Sequence, residues 1–515
     1  MSTKKDDTYG IPAEDAPSNV EEGTITEFGP PAQSEHGYVA RGLKNRHYQF
    51  MAFGGAVGTG LFLGIGSALR TGGPLSVFIS YSLTGLAIFA MMQCLGEMAT
   101  WLPVPGAIPT FCSRFVDDAM GFAVGWNTWY AGSIVICVEA SAAAIVIEYW
   151  TSSVNSAVWI TIVIVLVVLL NVFAVSVFGE AEFFFGVLKL VTMIGLLILT
   201  LVIDLGGAPS HDRLGFRYWN HPGAVREYIG TGNTGRFAGF FSTLITAAFA
   251  FGGSEGVIAA AGEAQDPRKN IPKAVRGVFV RIMLFYCLGS LAVGLFVPYD
   301  NPNLLSGGPG AAASPWVIGI VNSGIRVLPS IINTVILLSA VSVANSQVFI
   351  ASRYLFSLAQ NGQAPRIFLK CSKTGIPYYS VALTSSVSLL TYMTLSSGAN
   401  KVFLWLMNIT TIASLLTWIS IAISYLRFRA AIVAQGVGMQ NLPFKSALQP
   451  FCAYFVIIYF GIIMLGNGFV VFTKGNWSTS SFIASYIGLP IYGACFVFWK
   501  VFKRTKFVKA HEAQL

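Results

Sequence analysis

An acid and a glycine cluster share one apolar stretch of this chain, Phe240 to Ala264 (FFSTLITAAFAFGGSEGVIAAAGEA), where Gly252, Gly253 and Ser254 lead directly into Glu255. A carboxylate in such a segment costs about 2.5 to 3.5 kcal/mol even on a lenient insertion scale, so it normally faces a cavity and has a function. A protonated Glu255 capping carbonyls freed by the same break is the structural alternative, and the two roles are compatible. A second cluster lies in HYQFMAFGGAVGTGLFLGIG, His47 to Gly66. Its core, Gly54, Gly55, Ala56, Val57, Gly58, Thr59 and Gly60, concentrates glycines that each cost a helix interior roughly 1 kcal/mol. An unwound strand there leaves free N–H groups at the start of a half-helix running from about Leu61, which favour a carboxylate. The free carbonyls of the preceding half-helix favour an ammonium. A zwitterion fits that geometry. Close packing through small residues fits the motif equally well, since Gly60 to Gly64 is a GxxxG. A nucleotide loop is excluded, because no strand precedes the glycines and no Lys-Ser/Thr follows them.

Three further titratable residues lie in apolar runs. Lys189, in FFFGVLKLVTM, is either a snorkelling side chain a turn or two from a helix end or a buried amine able to gain and lose a proton in use. Glu139, in VICVEASAAA, is a possible proton carrier, whereas Glu148 lies nearer a helix end and reads as solvated.

These residues need a membrane scaffold. The chain has 515 residues, 54% hydrophobic and 11% charged, where soluble domains carry about a quarter charged residues. Runs such as Val158 to Val177 reach the roughly 20 apolar residues that cross a ~30 Å core. The expected fold is therefore an all-α polytopic membrane protein. Its 12 transmembrane helices are placed near 47-70, 74-98, 121-150, 157-177, 182-204, 237-263, 277-297, 325-352, 379-396, 402-426, 450-472 and 484-503. Interrupted segments at matching positions of two halves are the sequence mark of a transporter's substrate site. The first and sixth helices are thus expected to be discontinuous, in a 5+5 inverted repeat (47-204 and 237-426) with helices 11 and 12 (450-503) appended. Residues 1-46 read as a disordered tail without a signal peptide, and 504-515 as a second tail. Lys and Arg are richer in the loops on the side of the amino terminus, which predicts both termini to be cytoplasmic. The net charge of +9 is dispersed among those loops, so nucleic acid is not expected as a partner. The seven cysteines lack CxxC spacing, and neither a disulfide framework, a metal site nor a cofactor is expected. No HExxH or paired catalytic acid motif appears, so an enzyme is not expected.

In order and spacing, GLKNRHYQFMAFGGAVGTGLFLGIG, GEMATWLPVPGAIPTFCSRFVDDAMGFAVGWNTWY, FGGSEGVIAAAGEAQDPRKNIPKAV and ASRYLFSLAQNGQAP resemble signature segments of fungal amino acid permeases of the amino acid-polyamine-organocation superfamily. The resemblance runs from about Leu43 to the end of the twelfth span. It implies alternating access and proton-driven amino acid uptake at the plasma membrane. It further implies that Thr59 and Gly60 hold the substrate carboxylate and that carbonyls of Ala56, Phe249 and Gly252 hold the ammonium. Glu255 matches the acid beside the break, and Lys189 matches a fifth-helix lysine whose amine replaces a sodium ion. Relatives often carry a bulkier residue where Gly252 and Gly253 stand, which leaves the side-chain end of the pocket, and the substrate, open. A non-transporting sensor of the same fold is the alternative, and the short amino-terminal tail weighs against it. Lys4 and Lys5 suit ubiquitin-ligase machinery acting on that tail, or are solvated charges. The sequon at Asn476 is expected outside the membrane, and that at Asn408 within a span.

Overall fold

The computed structural model describes residues 57–104, 106–151, 153–172, 175–259, 267–304, 314–397 and 399–515. The tail 1-46, with Lys4 and Lys5, and Gly54, Gly55 and Ala56 of the first glycine cluster lie outside the described residues. All regular elements among the described residues are helical. Long apolar segments require this, because backbone groups in hydrocarbon must pair within their own segment. Six helices there are long and apolar enough to cross a membrane, a bent pair near the carboxyl end makes a possible seventh, and two shorter apolar helices accompany them.

A π-helical turn, Gly60–Gly64, leads into α1, Ile65–Trp101. The spans expected at 47-70 and 74-98 meet inside this element, at a residue that leaves helical geometry. The helix bends at Gly73, with φ 79°, and Pro74. A side chain is strained at that φ, and its Cβ would lie 2.9 Å from Ala224 O and Arg226 N. A loop strand pairs the backbone groups that the kink frees, with Leu75 N donating to Ala224 O at 2.9 Å and Arg226 N to Gly72 O at 3.0 Å.

Next come α2, Ala107–Phe115, α3, Asp118–Ile147, α4, Ser156–Val172, and α5, Val175–Asp204. Then α6, Gly232–Ala250, gives way to five residues outside any helix and the single turn α7, Gly256–Ala259. The span expected at 277-297 begins at Pro267 as α8, Pro267–Arg281, and continues through a π-helical stretch, Ile282–Cys287, into α9, Leu288–Phe296. The chain continues as α10, Pro315–Asn322, α11, Leu328–Gln360, and α12, Tyr378–Val387, whose expected span runs on as 3-10 helix over Ser388–Met393. It ends with α13, Ala399–Ala434, α14, Phe451–Gly466, α15, Thr479–Tyr486, and α16, Gly488–Lys503.

α3 is the central helix, with 89% of its apolar window buried against 33% for α5. It packs between α11 and α13, while α6 lies along α1. Glycine permits that close approach: a Cβ on Gly72 would lie 2.5 Å from the Thr243 methyl. Asp117 caps α3 by accepting from Ala119 N at 2.8 Å. It is fully buried, so its remaining capacity is met by Lys500 and by Thr505 Oγ1 at 2.6 Å. This docks the carboxyl-terminal residues on the helix ends, where Val508 N donates to Val116 O at 2.9 Å and Gln435 Nε2 to Ala513 O at 2.7 Å.

Candidate functional site

The two glycine-rich breaks meet. A Cβ built on Gly60 would stand 2.7 Å from the Ala250 Cα and 3.2 Å from the Phe249 ring. Val57 and Gly58 are non-helical, and Thr59 opens the first helical turn with no side-chain cap. Its hydroxyl instead donates to Glu139 Oε1 on α3 at 3.0 Å. Leu61 N returns to Gly58 O at 3.2 Å, and Ser339 Oγ of α11 donates to the Val57 carbonyl at 3.0 Å. Gly58 is glycine for a local reason: a Cβ there would fall 2.7 Å from Glu139 Oε1. The adjoining π-helical turn loosens the backbone ladder further, a feature frequent at functional sites.

The second break, Phe251 to Glu255, is a chain of tight turns with Gly253 at φ 79°. Gly252 N donates to Phe249 O at 2.9 Å, leaving that carbonyl one lone pair for a ligand. Glu255 Oε2 accepts from Trp418 Nε1 of α13 at 2.9 Å. Ser254 Oγ donates to Phe251 O at 2.7 Å and accepts from the Arg281 guanidinium at 3.0 Å. Tyr286 stacks on Phe251 with ring centroids 3.8 Å apart, and its hydroxyl donates to Ala250 O at 3.0 Å.

Two adjoining cavities lie between the breaks. One, of about 30 Å³, is lined by Gly58, Gly60, Glu139, Phe249 and Gly252 among others; the second, also of about 30 Å³, reaches Gly253, Glu255, Tyr354 and Thr417. Both touch Val135, Gln347 and Ser414, so Gln347 stands at the join, its Nε2 2.9 Å from where a Gly253 Cβ would be. Thr59 is fully buried behind Gly58 and reaches the cavity through Glu139. A larger cleft of about 420 Å³ lies between α3 and α16, lined by Trp126, Trp129, Tyr130 and Phe498, and shares no residue with either break.

Lys189 is 1% exposed although its helix is peripheral, so it points inward rather than snorkelling. It lines neither cavity. Its amine donates to Ser342 Oγ on α11 at 3.0 Å, one turn from the Ser339 that holds Val57, and Glu139 and Glu182 are the carboxylates whose charges act on it. The structure thus brings Gly58, Gly60, Glu139, Phe249, Gly252 and Glu255 to one place, with Thr59 and Lys189 behind it, while Ala56 falls outside the described residues. Glu182, Arg281, Gln347 and Trp418 are polar residues of the same region that the sequence reading passed over. For Glu182 and Arg281 the signal was present, a charge within an apolar helix.

The amino acid permease family model matches residues 47–512. A proline-specific permease of Emericella nidulans is 44% identical over 92% of this chain and 86% of its own. A probable proline-specific permease of Schizosaccharomyces pombe is 46% identical over 87% of this chain and 82% of its own. Among solved structures, a manganese transporter of Eremococcus coleocola, in complex with an aromatic bis-isothiourea substituted compound, aligns with TM-score 0.54 at 14% identity. That alignment covers 89% of this chain and 94% of the transporter, a likeness of fold alone. With its apolar helices and these relatives, the chain is a multi-pass membrane protein for amino acid transport, not an enzyme, and it belongs to the amino acid permease family.

Proposed function

We propose that this chain is a proton-coupled amino acid symporter of the plasma membrane, working by alternating access through twelve spans with both termini cytoplasmic. The observation that carries the reading is the meeting of the two breaks, Gly60 against Ala250, with Glu139 at one and Glu255 at the other. Free backbone groups of both breaks bind the zwitterion. Gly58, Thr59 and Gly60 face its carboxylate, and Phe249, Gly252 and Ala56 supply carbonyls to its ammonium. Rocking of one helix group against the other then exposes the site inward. The proton is taken up by a network of Lys189 with Glu139 or Glu255. Coupling has an energetic rationale, since each charge moved inward gains about 2.3 kcal/mol per 100 mV.

The lining of the two cavities carries two carboxylates and, among the described residues, no lysine or arginine, which disfavours an acidic substrate side chain. Relatives named for proline make proline the first substrate to test. The test is uptake of radiolabelled amino acids by a permease-deficient fungal strain expressing this chain. Energised uptake that rises with external acidity is expected. Uptake indifferent to the proton gradient refutes coupling, and uptake of no amino acid refutes transport. A reporter at the carboxyl terminus is expected on the cytoplasmic side, and an extracellular signal refutes the even span count. Asn476 is exposed in the loop before α15, suiting an outward-facing position. Replacement of Lys4 and Lys5 by Arg is expected to prolong surface residence without changing initial transport rates.

A further inference from the structure

Glu182 is 1% exposed, on a helix that otherwise turns mostly outward, and four side chains converge on its site. It stands seven residues before Lys189, close to two full turns, so both occupy one face of α5. Ser342 Oγ of α11 donates to Glu182 Oε2 at 3.0 Å and accepts from Lys189 Nζ at 3.0 Å. Asn345, three residues on, donates to Glu182 Oε1 at 2.7 Å. Its amide is held that way round because its Oδ1 accepts from Asn171 of α4 at 2.8 Å. A buried carboxylate with both oxygens paired to placed donors is a built site.

We propose that Glu182 is the inward proton acceptor of the transport cycle, drawing a proton from Lys189 across the Ser342 hydroxyl and releasing it to the cytosol. The inference rests on the proton-coupled reading above. The step balances. An N–H bond of the ammonium breaks as its proton joins Ser342 Oγ, while the proton already on Oγ moves to Glu182 Oε2. Ammonium and carboxylate become amine and carboxylic acid, and the hydroxyl ends reversed. Direction follows from placement. Glu139 lies at the substrate break and faces Lys189 from one side; Glu182 lies nearer the start of α5, the cytoplasmic end if the amino terminus is cytoplasmic. Lys189 is the charge that acts on Glu182 from its own helix. On α11 the nearby groups are neutral, and Arg353 lies further along over the Phe349 ring, 3.7 Å from its centroid. α4 offers the neutral Asn171, and α9, which also packs on α5, has no charged residue.

The test compares net uptake driven by an imposed pH gradient with exchange of internal for external substrate, in cells whose surface protein is quantified by a fluorescent fusion. For Glu182→Gln the ratio of net uptake to exchange is expected to fall about a hundredfold, with loss of pH dependence. Ser342→Ala, which removes the relay hydroxyl and little volume, is expected to do the same. A normal ratio and pH profile in Glu182→Gln overturn the proposal. If Glu182→Gln fails to reach the surface, Ser342→Ala decides: lost coupling supports the relay, and intact coupling overturns it. Parent protein that transports without pH dependence refutes the coupled reading itself, whatever the variants do.

Discussion

The two breaks differ in the origin of their carboxylates. The first contains no charge and borrows Glu139 from α3 through a hydrogen bond from Thr59. The second contains Glu255, held by Trp418, beside a Ser254 bonded to Arg281 and a Phe251 stacked on Tyr286. A borrowed acid can gain or lose its bond without unwinding the strand it serves, and Glu139 Oε2 has no partner among the described residues. An acid built into a pinned turn cannot move without the turn. The first break is therefore the side suited to report protonation, and the second the side suited to hold shape.

The sharpest way to break this comparison is to remove the buried cation behind each side. Lys189→Met keeps volume but cannot titrate, so accumulation against a gradient is expected to be abolished in protein that still reaches the membrane. Arg281→Met instead removes the buried guanidinium that bonds Ser254 Oγ beside Glu255, and a hydrogen bond to a charged group contributes about 1.5 to 3 kcal/mol. Its expected deficit is in surface abundance, with pH dependence retained in whatever protein remains. Uptake at varied external pH, normalised to surface fluorescence, separates them; the reverse pattern would invert the roles assigned to the two breaks.

A smaller but still large effect is expected from closing the contact itself. Gly60→Ala places a Cβ 2.7 Å from backbone at Ala250, which cannot swing aside, so initial uptake is expected to drop at least about tenfold. Gly252→Ala meets Phe249 O at 3.1 Å and Ser414 Oγ at 3.7 Å, contacts that a slight shift relieves, and a measurable fraction of uptake is expected to remain. Equal rates for the two variants would mean that transport does not depend on the close approach of the breaks.

Glu255, Thr59, Glu139 and Lys189 were legible because a polar residue in an apolar run needs a reason. Glu182 and Arg281 obey the same rule yet were hidden by helix boundaries. A span begun at 182 makes Glu182 a terminal residue, and one begun at 277 leaves Arg281 four residues inside. The helices start at Val175 and Pro267, seven and fourteen residues before these charges, so both lie within continuous helical stretches, and both are buried. Apolar periodicity ends where polar residues begin and cannot see a helix that runs on through them. The boundary between the first two spans was legible by contrast: Gly72, Gly73 and Pro74 read as a turn, Gly73 leaves helical geometry there, and Ala224 and Arg226 of a distant loop pair the backbone groups it frees. Trp418 carried no signal at all, since a tryptophan in an apolar helix reads as packing until its Nε1 is placed on Glu255.

The smallest expected effects come from trimming one hydrogen bond at each break. Thr59→Val deletes the donor to Glu139 and leaves the branched shape, whereas Trp418→Phe deletes the donor to Glu255 and keeps an aromatic ring against Phe460, whose centroid lies 4.7 Å away. A bond to a buried charged group contributes about 1.5 to 3 kcal/mol, so either loss is large enough to be read. If the first break carries the coupling, Thr59→Val shifts the pH profile of uptake, because it changes what stabilises the charged form of Glu139. Trp418→Phe is expected to leave the profile in place and raise the apparent KM several-fold, since Glu255 lines the second cavity and would lose its fixed orientation. Thr59→Ser, which restores the hydroxyl, is expected to return the profile to that of the parent. A pH profile shifted by Trp418→Phe and untouched by Thr59→Val would place proton sensing at the acid the second break carries rather than at the one the first break borrows.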